Sequence, residues 1–253
     1  LDIGFEVEKF LLVFFRALSM LWLLPIFQSR SVAAGYKAGL SLLVAFLLYE
    51  TVKAPDVGGD PFLILLLVLK EVFVGLSVGF FVRLLFAMVS GAAEFISMQS
   101  GLSFARVIDP TMAASVTVLE QFKSLLATMI FLAIDGHHTV LRGLSASLTA
   151  VPPGVLTVKP ALFQFMIQNT GKIFAASLKI CAPVVVTLFL VDIGLGILAR
   201  LIPQVNVFVE GASMKILITI AVLAISLNLI VPVIADLFRG MDSEILRIFK
   251  AMV

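Results

Sequence analysis

Residues 62–101 read FLILLLVLKEVFVGLSVGFFVRLLFAMVSGAAEFISMQSG, and the character of the whole chain turns on this run. It is greasy enough for a bilayer, yet it sets Lys70 beside Glu71 and carries Arg83 and Glu94 further on. Hydrocarbon offers a charge no hydration, so a helix facing lipid on every side cannot hold these groups cheaply. The run therefore belongs to a membrane protein that buries much of this helix against protein.

Composition agrees. The chain has 253 residues, of which 61% are hydrophobic and 13% charged; a soluble domain carries about a quarter charged residues. A formal net charge of +2 is too small to point to nucleic acid. Phe occurs 22 times against one Trp and two Tyr, so the usual Trp/Tyr belt at the membrane surface is thin. The single cysteine, Cys181, excludes an internal disulfide. Arg16 interrupts the first apolar run and no small-residue cleavage pattern follows, so that run is expected to be a retained helix rather than a signal peptide.

Apolar runs cover residues 10–27, 32–52, 62–101, 117–133, 161–202 and 214–238. Turn-forming stretches separate them: Ala54-Pro55-Asp56 with Gly58-Gly59-Asp60-Pro61, then Pro152-Pro153-Gly154, then Pro203. Two runs are too long for a simple crossing, since 40 helical residues reach about 60 Å, twice a hydrocarbon core. Each either projects beyond the membrane or is broken, and Pro183 could kink the second.

Polar residues inside the runs follow helical spacing. Glu71, Gly75, Gly79 and Arg83 step by four and make one stripe; Asp192, Gly196 and Arg200 repeat the step. Gly35 and Gly39 form a further small-residue pair beside Lys37. Small residues let helices approach, and charges buried at such a contact need partners. Three uses are open: salt bridging inside one bundle, contacts between subunits, or a water-lined path.

The segment after the 62–101 run reads Ser103, Phe104, Ala105, Arg106, Val107, Ile108, Asp109, Pro110, Thr111, Met112, Ala113, Ala114, Ser115, Val116. It is long, made of small and weakly apolar residues, and broken at Asp109-Pro110. It is either an ordinary connection or a loop that lines or closes a pore. Beyond Asp236 the pattern is two-faced: Leu237, Phe238, Met241, Ile245, Ile248, Phe249 and Met252 alternate with Arg239, Asp242, Arg247 and Lys250. That tail is expected on a membrane surface or against a partner.

No motif points to catalysis. There is no phosphate-binding loop, and no serine triad can be argued from spacing. His137 and His138 are adjacent, so on a helix they point about 100° apart and make a poor ligand pair. No metal and no cofactor are expected.

Three stretches carry a family likeness. They are Ala93-Glu94 with Gln99-Ser100-Gly101-Leu102-Ser103-Phe104-Ala105 and Asp109-Pro110; Gly136-His137-His138 with Ser147-Leu148 and Val151-Pro152-Pro153-Gly154; and Arg200-Leu201-Ile202-Pro203-Gln204-Val205-Asn206-Val207-Phe208 with Gly211 and Lys215. Together they resemble the FliR family of type III export-gate proteins, flagellar and virulence-associated, over nearly the whole chain. The family usually has proline where Ser213 stands.

The resemblance implies an all-α, membrane-associated, non-enzymatic subunit built of long kinked helices and hairpins. Residues 1–160 would be similar to FliP and 161–253 to a FliQ hairpin with an amphipathic tail. It would assemble with FliP and FliQ into a helical ring in the bacterial inner membrane, at the flagellar basal body. Part of that ring would project to the periplasmic side, FlhB would sit at the cytoplasmic entrance, and unfolded flagellar proteins would pass through. Residues 103–116 would correspond to the pore plug, with Phe104 and Ile108 closing it and Ala113 and Ala114 packing closely. Lys70, Glu71, Gly75, Gly79, Arg83, Asp192, Arg200, Gln204, Asn206 and Lys215 would lie at subunit contacts. A secondary transporter is the rival reading, because buried charges and interrupted helices also mark ion sites. A scaffold without a pore is the third.

Overall fold

A computed structural model describes residues 3–27, 32–52, 60–103, 118–157, 159–202 and 207–253, without the side chains of 3–6, 118–120 and 207–210. All regular structure among the described residues is helical. The helices are α1 (Ile3–Leu23), α2 (Ala34–Leu48), α3 (Pro61–Ser100), α4 (Val118–Ala133), α5 (Gly136–Ala150), α6 (Pro160–Leu201), α7 (Val207–Arg239) and α8 (Met241–Met252). Short 3-10 turns occupy Pro25–Phe27 and Tyr49–Thr51.

Local chemistry sets the ends of the long helices. Asp60 starts α3: its Oδ1 accepts the Phe62 amide at 3.0 Å, and Pro61 takes the first helical position, where its missing N–H costs nothing. Gly101, at φ 82°, stops α3, and the Ser103 amide reaches back to the Ser97 carbonyl at 3.2 Å. Pro160 opens α6 in the same way as Pro61 opens α3. The long runs are not broken: α3 has 40 residues and α6 has 42, and α6 continues through Pro183. Serine and threonine hydroxyls in these apolar helices bond the carbonyl one turn back, as Ser77 does to Phe73 and Thr187 to Pro183. Their polarity is thereby satisfied without solvent.

Among the described residues three helical stretches are long and apolar enough to cross a membrane: Pro61–Ser100, Pro160–Leu201 and Gly211–Met252, the last taking in α7 and α8. A fourth crossing is available if Gln121–Ala133 and Gly136–Ala150, bent by 65°, act as one span. The bend falls at Asp135, in the left-handed region at φ 58°. The apolar-run reading missed α5, because Arg142, His137, His138 and its serines dilute the pattern. Its buried side (Val140, Gly143, Leu144, Ser147 and Leu148) nevertheless keeps helical spacing.

The chain forms two compact units, and each draws on both of the parts expected from sequence. One comprises Leu1–Leu85, Ile134–Thr170 and Phe238–Val253; the other comprises Phe86–Ala133 and Gly171–Leu237. In the first, α1 and α2 make an antiparallel hairpin in which Lys9 lies over the Tyr49 ring and Lys37 over Trp22. Val13, Ala45, Val52 and Leu148 form a buried cluster there, flanked by Phe10 and Phe14. The apolar face of α8 closes this unit. Met241, Ile245, Ile248, Phe249 and Met252 are buried, and Ile245 packs where Gly143 of α5 leaves room. The tail thus covers its own chain, where the sequence pointed to a membrane surface or a partner.

In the second unit α6 and α7 form an antiparallel hairpin. Leu195 meets Gly211 and Asp192 meets Lys215, so pairing residues sum to a nearly constant number around the turn. Helix α3 runs alongside α6 in the same direction: Ser177 bonds the Met88 carbonyl at 2.8 Å and Gln99 bonds Asp192 at the same distance.

Candidate functional site

Inside the first unit the stripe of α3 meets α1. Glu71 is 1% exposed and Arg16, from α1, 0%. Arg16 Nε donates to Glu71 Oε2 at 2.5 Å. Its Nη1 donates to the carbonyls of Ser147 at 2.8 Å and Val151 at 2.9 Å, at the end of α5. The other Glu71 oxygen accepts the Gly154 amide at 3.0 Å, and Lys70 Nζ donates to the Gly154 carbonyl at 3.0 Å. Gly154 sits at φ 85°, a conformation that favours glycine after Pro152-Pro153. One buried guanidinium and one buried carboxylate therefore clasp α1, α3, α5 and the 151–154 turn. Each charge has several partners, which is what makes burial tolerable.

The glycines of the stripe serve the same contact. A Cβ on Gly75 would collide with the Ser19 hydroxyl and the Arg16 carbonyl; one on Gly79 would lie 2.8 Å from the Met20 carbonyl. Helix α1 ends at Leu23, itself one of the residues that Gly79 meets, and the last member of the stripe, Arg83, is exposed. Glu71, Gly75 and Gly79 thus have their neighbours within the chain, the first of the three uses left open by the sequence. The earlier pair differs: a Cβ on Gly35 or Gly39 would meet nothing within 4 Å.

The second polar group belongs to the α6–α7 hairpin. Asp192 forms an ion pair with Lys215 and accepts a bond from Gln99 Nε2 at 2.8 Å; all this is half-buried. Gly196 faces open space and Arg200 is exposed. Gln204 and Asn206 lie outside the described residues. Of the expected plug only Ser103 is described; residues 104–116 lie outside.

A third constellation was underread from sequence. At the α4–α5 bend the rings of His137 and His138 lie close together, with centroids 4.1 Å apart and planes tilted by 40°. His138 Nδ1 lies 3.2 Å from Asp135 Oδ1, and the ligating atoms of all three fall within 4.8 Å of one another. The group is compact enough for a cation, but it sits at a helix N-terminus, whose dipole opposes one. Sequence reading also passed over Lys123, a lone charge in the fourth apolar run, which is buried.

Comparison with known proteins fits this architecture. Residues 7–241 match the family described as bacterial export proteins, family 1. The flagellar biosynthetic protein FliR of Bacillus subtilis is 34% identical over 248 residues, 96% of this chain and 95% of that protein. FliR of Caulobacter vibrioides is 30% identical, with 97% of each covered, and FliR of Escherichia coli 29%, with 94% and 90% covered. With membrane-length helices and a likeness that spans nearly the full length, the chain belongs to the FliR family of bacterial export proteins, as a non-enzymatic component of the flagellar export apparatus.

Proposed function

We propose that the chain assembles with FliP and FliQ into a closed helical ring that forms and plugs the pore of the flagellar export gate. Unfolded flagellar proteins would cross the inner membrane through that pore, with FlhB at its cytoplasmic entrance. The observation that carries this reading is the bareness of the hairpin. Within the most apolar window, 61% of the Pro61–Ser100 helix is buried by the chain itself, but only 22% of Pro160–Leu201 and of Gly211–Met252. A hairpin left this open is suited to neighbours shaped like itself, as a FliQ-like element stacking beside FliQ would be.

In this reading residues 1–160 and 161–253 are FliP-like and FliQ-like by likeness to their neighbours, not by forming separate compact units. Arg83 and Arg200, both exposed, reach charges on adjoining subunits. Asp192 and Lys215 set the hairpin spacing, and Gln204 and Asn206 lie at its turn. Lys70, Glu71, Gly75 and Gly79 support assembly from within, by holding the surface that α1 and α3 present. Residues 103–116 close the pore. The complex sits at the basal body with part of it on the periplasmic side, and its energy comes from the proton-motive force and a separate ATPase.

Co-expression tests the assembly. The chain, purified with FliP and FliQ in mild detergent, is expected to elute as one hetero-oligomer of defined mass. Elution as a monomer free of both proteins refutes the proposal.

A further inference from the structure

Three side chains of ligand type converge at the start of α5. Asp135, His137 and His138 each offer one donor atom, and the three atoms lie within 4.8 Å of one another. Asp135 Oδ1 and His138 Nδ1 are 3.2 Å apart. That is close to the spacing of two ligands on a tetrahedral ion with bonds of about 2.0–2.1 Å. The His137 ring lies beside that of His138, so a small movement brings its nitrogen to the same point.

Two further features leave these groups available to a ligand. Asp135 directly precedes α5, where an aspartate ordinarily accepts a backbone N–H of the first turn, yet its side chain makes no such bond. His137 Nδ1 is buried and has no hydrogen-bond partner among the described residues, a state in which ring nitrogens are rarely left. The site is reachable all the same, since the Asp135 side chain is 74% exposed and that of His138 56%. The dipole of α5 disfavours a cation here, but it amounts to a partial charge, screened at an exposed helix end. The carboxylate sets a full negative charge against it.

We propose that Asp135, His137 and His138 bind one first-row divalent transition ion such as Zn²⁺, which ties the left-handed turn at Asp135 to the first turn of α5. Two imidazoles and one carboxylate select such an ion over Mg²⁺ or Ca²⁺, which take oxygen ligands. Three protein ligands leave a fourth position for water on the exposed side. The sequence pointed away from this site because adjacent residues on a helix diverge. What it could not show is that Asp135, at φ 58°, completes the set from outside the helix.

The experiment uses the full chain, purified in mild detergent without a histidine tag and stripped of metal with a chelator. Calorimetric titration with Zn²⁺ is expected to give one ion per chain at micromolar affinity or tighter, and the bound ion to raise the melting temperature. His138→Ala, His137→Gln and Asp135→Asn are each expected to weaken binding tenfold or more and to abolish that rise. Asparagine tolerates the left-handed conformation, so Asp135→Asn removes the ligand while keeping the turn. Helicity and the melting temperature without metal should match wild type in that variant. Absence of Zn²⁺ binding overturns the proposal. So does wild-type affinity in all three variants, which would place the ion elsewhere, or equally tight binding of Mg²⁺, which would show a carboxylate contact alone.

Discussion

Arg16 and Glu71, 55 positions apart, meet at 2.5 Å with both side chains withdrawn from the surface. Neither charge stands alone, since Ser147 and Val151 accept further bonds from Arg16 and the Gly154 amide donates to Glu71. Removing one partner strands the other. Arg16→Met or Glu71→Leu is expected to destabilise the chain by about 3–5 kcal/mol, whereas the double replacement recovers much of the loss. Thermal unfolding of the two singles and the double in detergent measures this; additive losses would mean that the pair is not coupled.

The two small-residue pairs separate close packing from open surface. Gly75→Ala pushes a methyl into the Ser19 hydroxyl and the α1 backbone, and is expected to cost about 1–3 kcal/mol. Gly39→Ala meets nothing within 4 Å and is expected to be neutral, or stabilising by up to about 1 kcal/mol through helix propensity. Melting temperatures of the purified variants decide it.

Helix α8 is expected to behave as core. Ile245→Ala removes a fully buried side chain and costs about 2–5 kcal/mol, while Asp242→Ala on the exposed side changes stability by less than about 0.5 kcal/mol. Limited proteolysis provides the readout: the Ile245 variant should lose its C-terminal segment faster.

The Asp192–Lys215 pair is only half-buried, so its effect on the isolated chain is expected to be small, about 0–1 kcal/mol. Lys215→Met is expected to leave the melting temperature nearly unchanged, and a fall comparable to that of Arg16→Met would show the pair to be structural.

How much of this could be read in advance depends on the range of the interaction. Helix positions are local, so α3 and α6 lie within one residue of the apolar runs that announced them. The breaks before Pro61 and before Pro160 were likewise written in turn chemistry, at Gly58-Gly59-Asp60 and Pro152-Pro153-Gly154. Partners are not local. The stripe through Glu71 was visible as a period of four, but that Arg16 faces it depends on α1 and α3 running side by side, which no spacing reveals. The amphipathic period of α8 was visible too; that it covers α5 follows from Gly143 lying opposite Ile245. Helix α5 was missed because a helix half-covered by charged and small residues lacks an apolar run. Lys123 carries no pattern as a lone lysine, and its burial comes from the eight apolar residues of α4 itself and of α3, α6 and α7 that close around it.

Conductance tests the central claim most directly. Complexes of this chain with FliP and FliQ, reconstituted in planar bilayers, are expected to be electrically tight with the wild-type sequence. They are expected to pass ions readily once residues 104–116 are deleted. Equal, negligible conductance from deleted and wild-type complexes of the same subunit composition would contradict the account, because the loop would then close nothing.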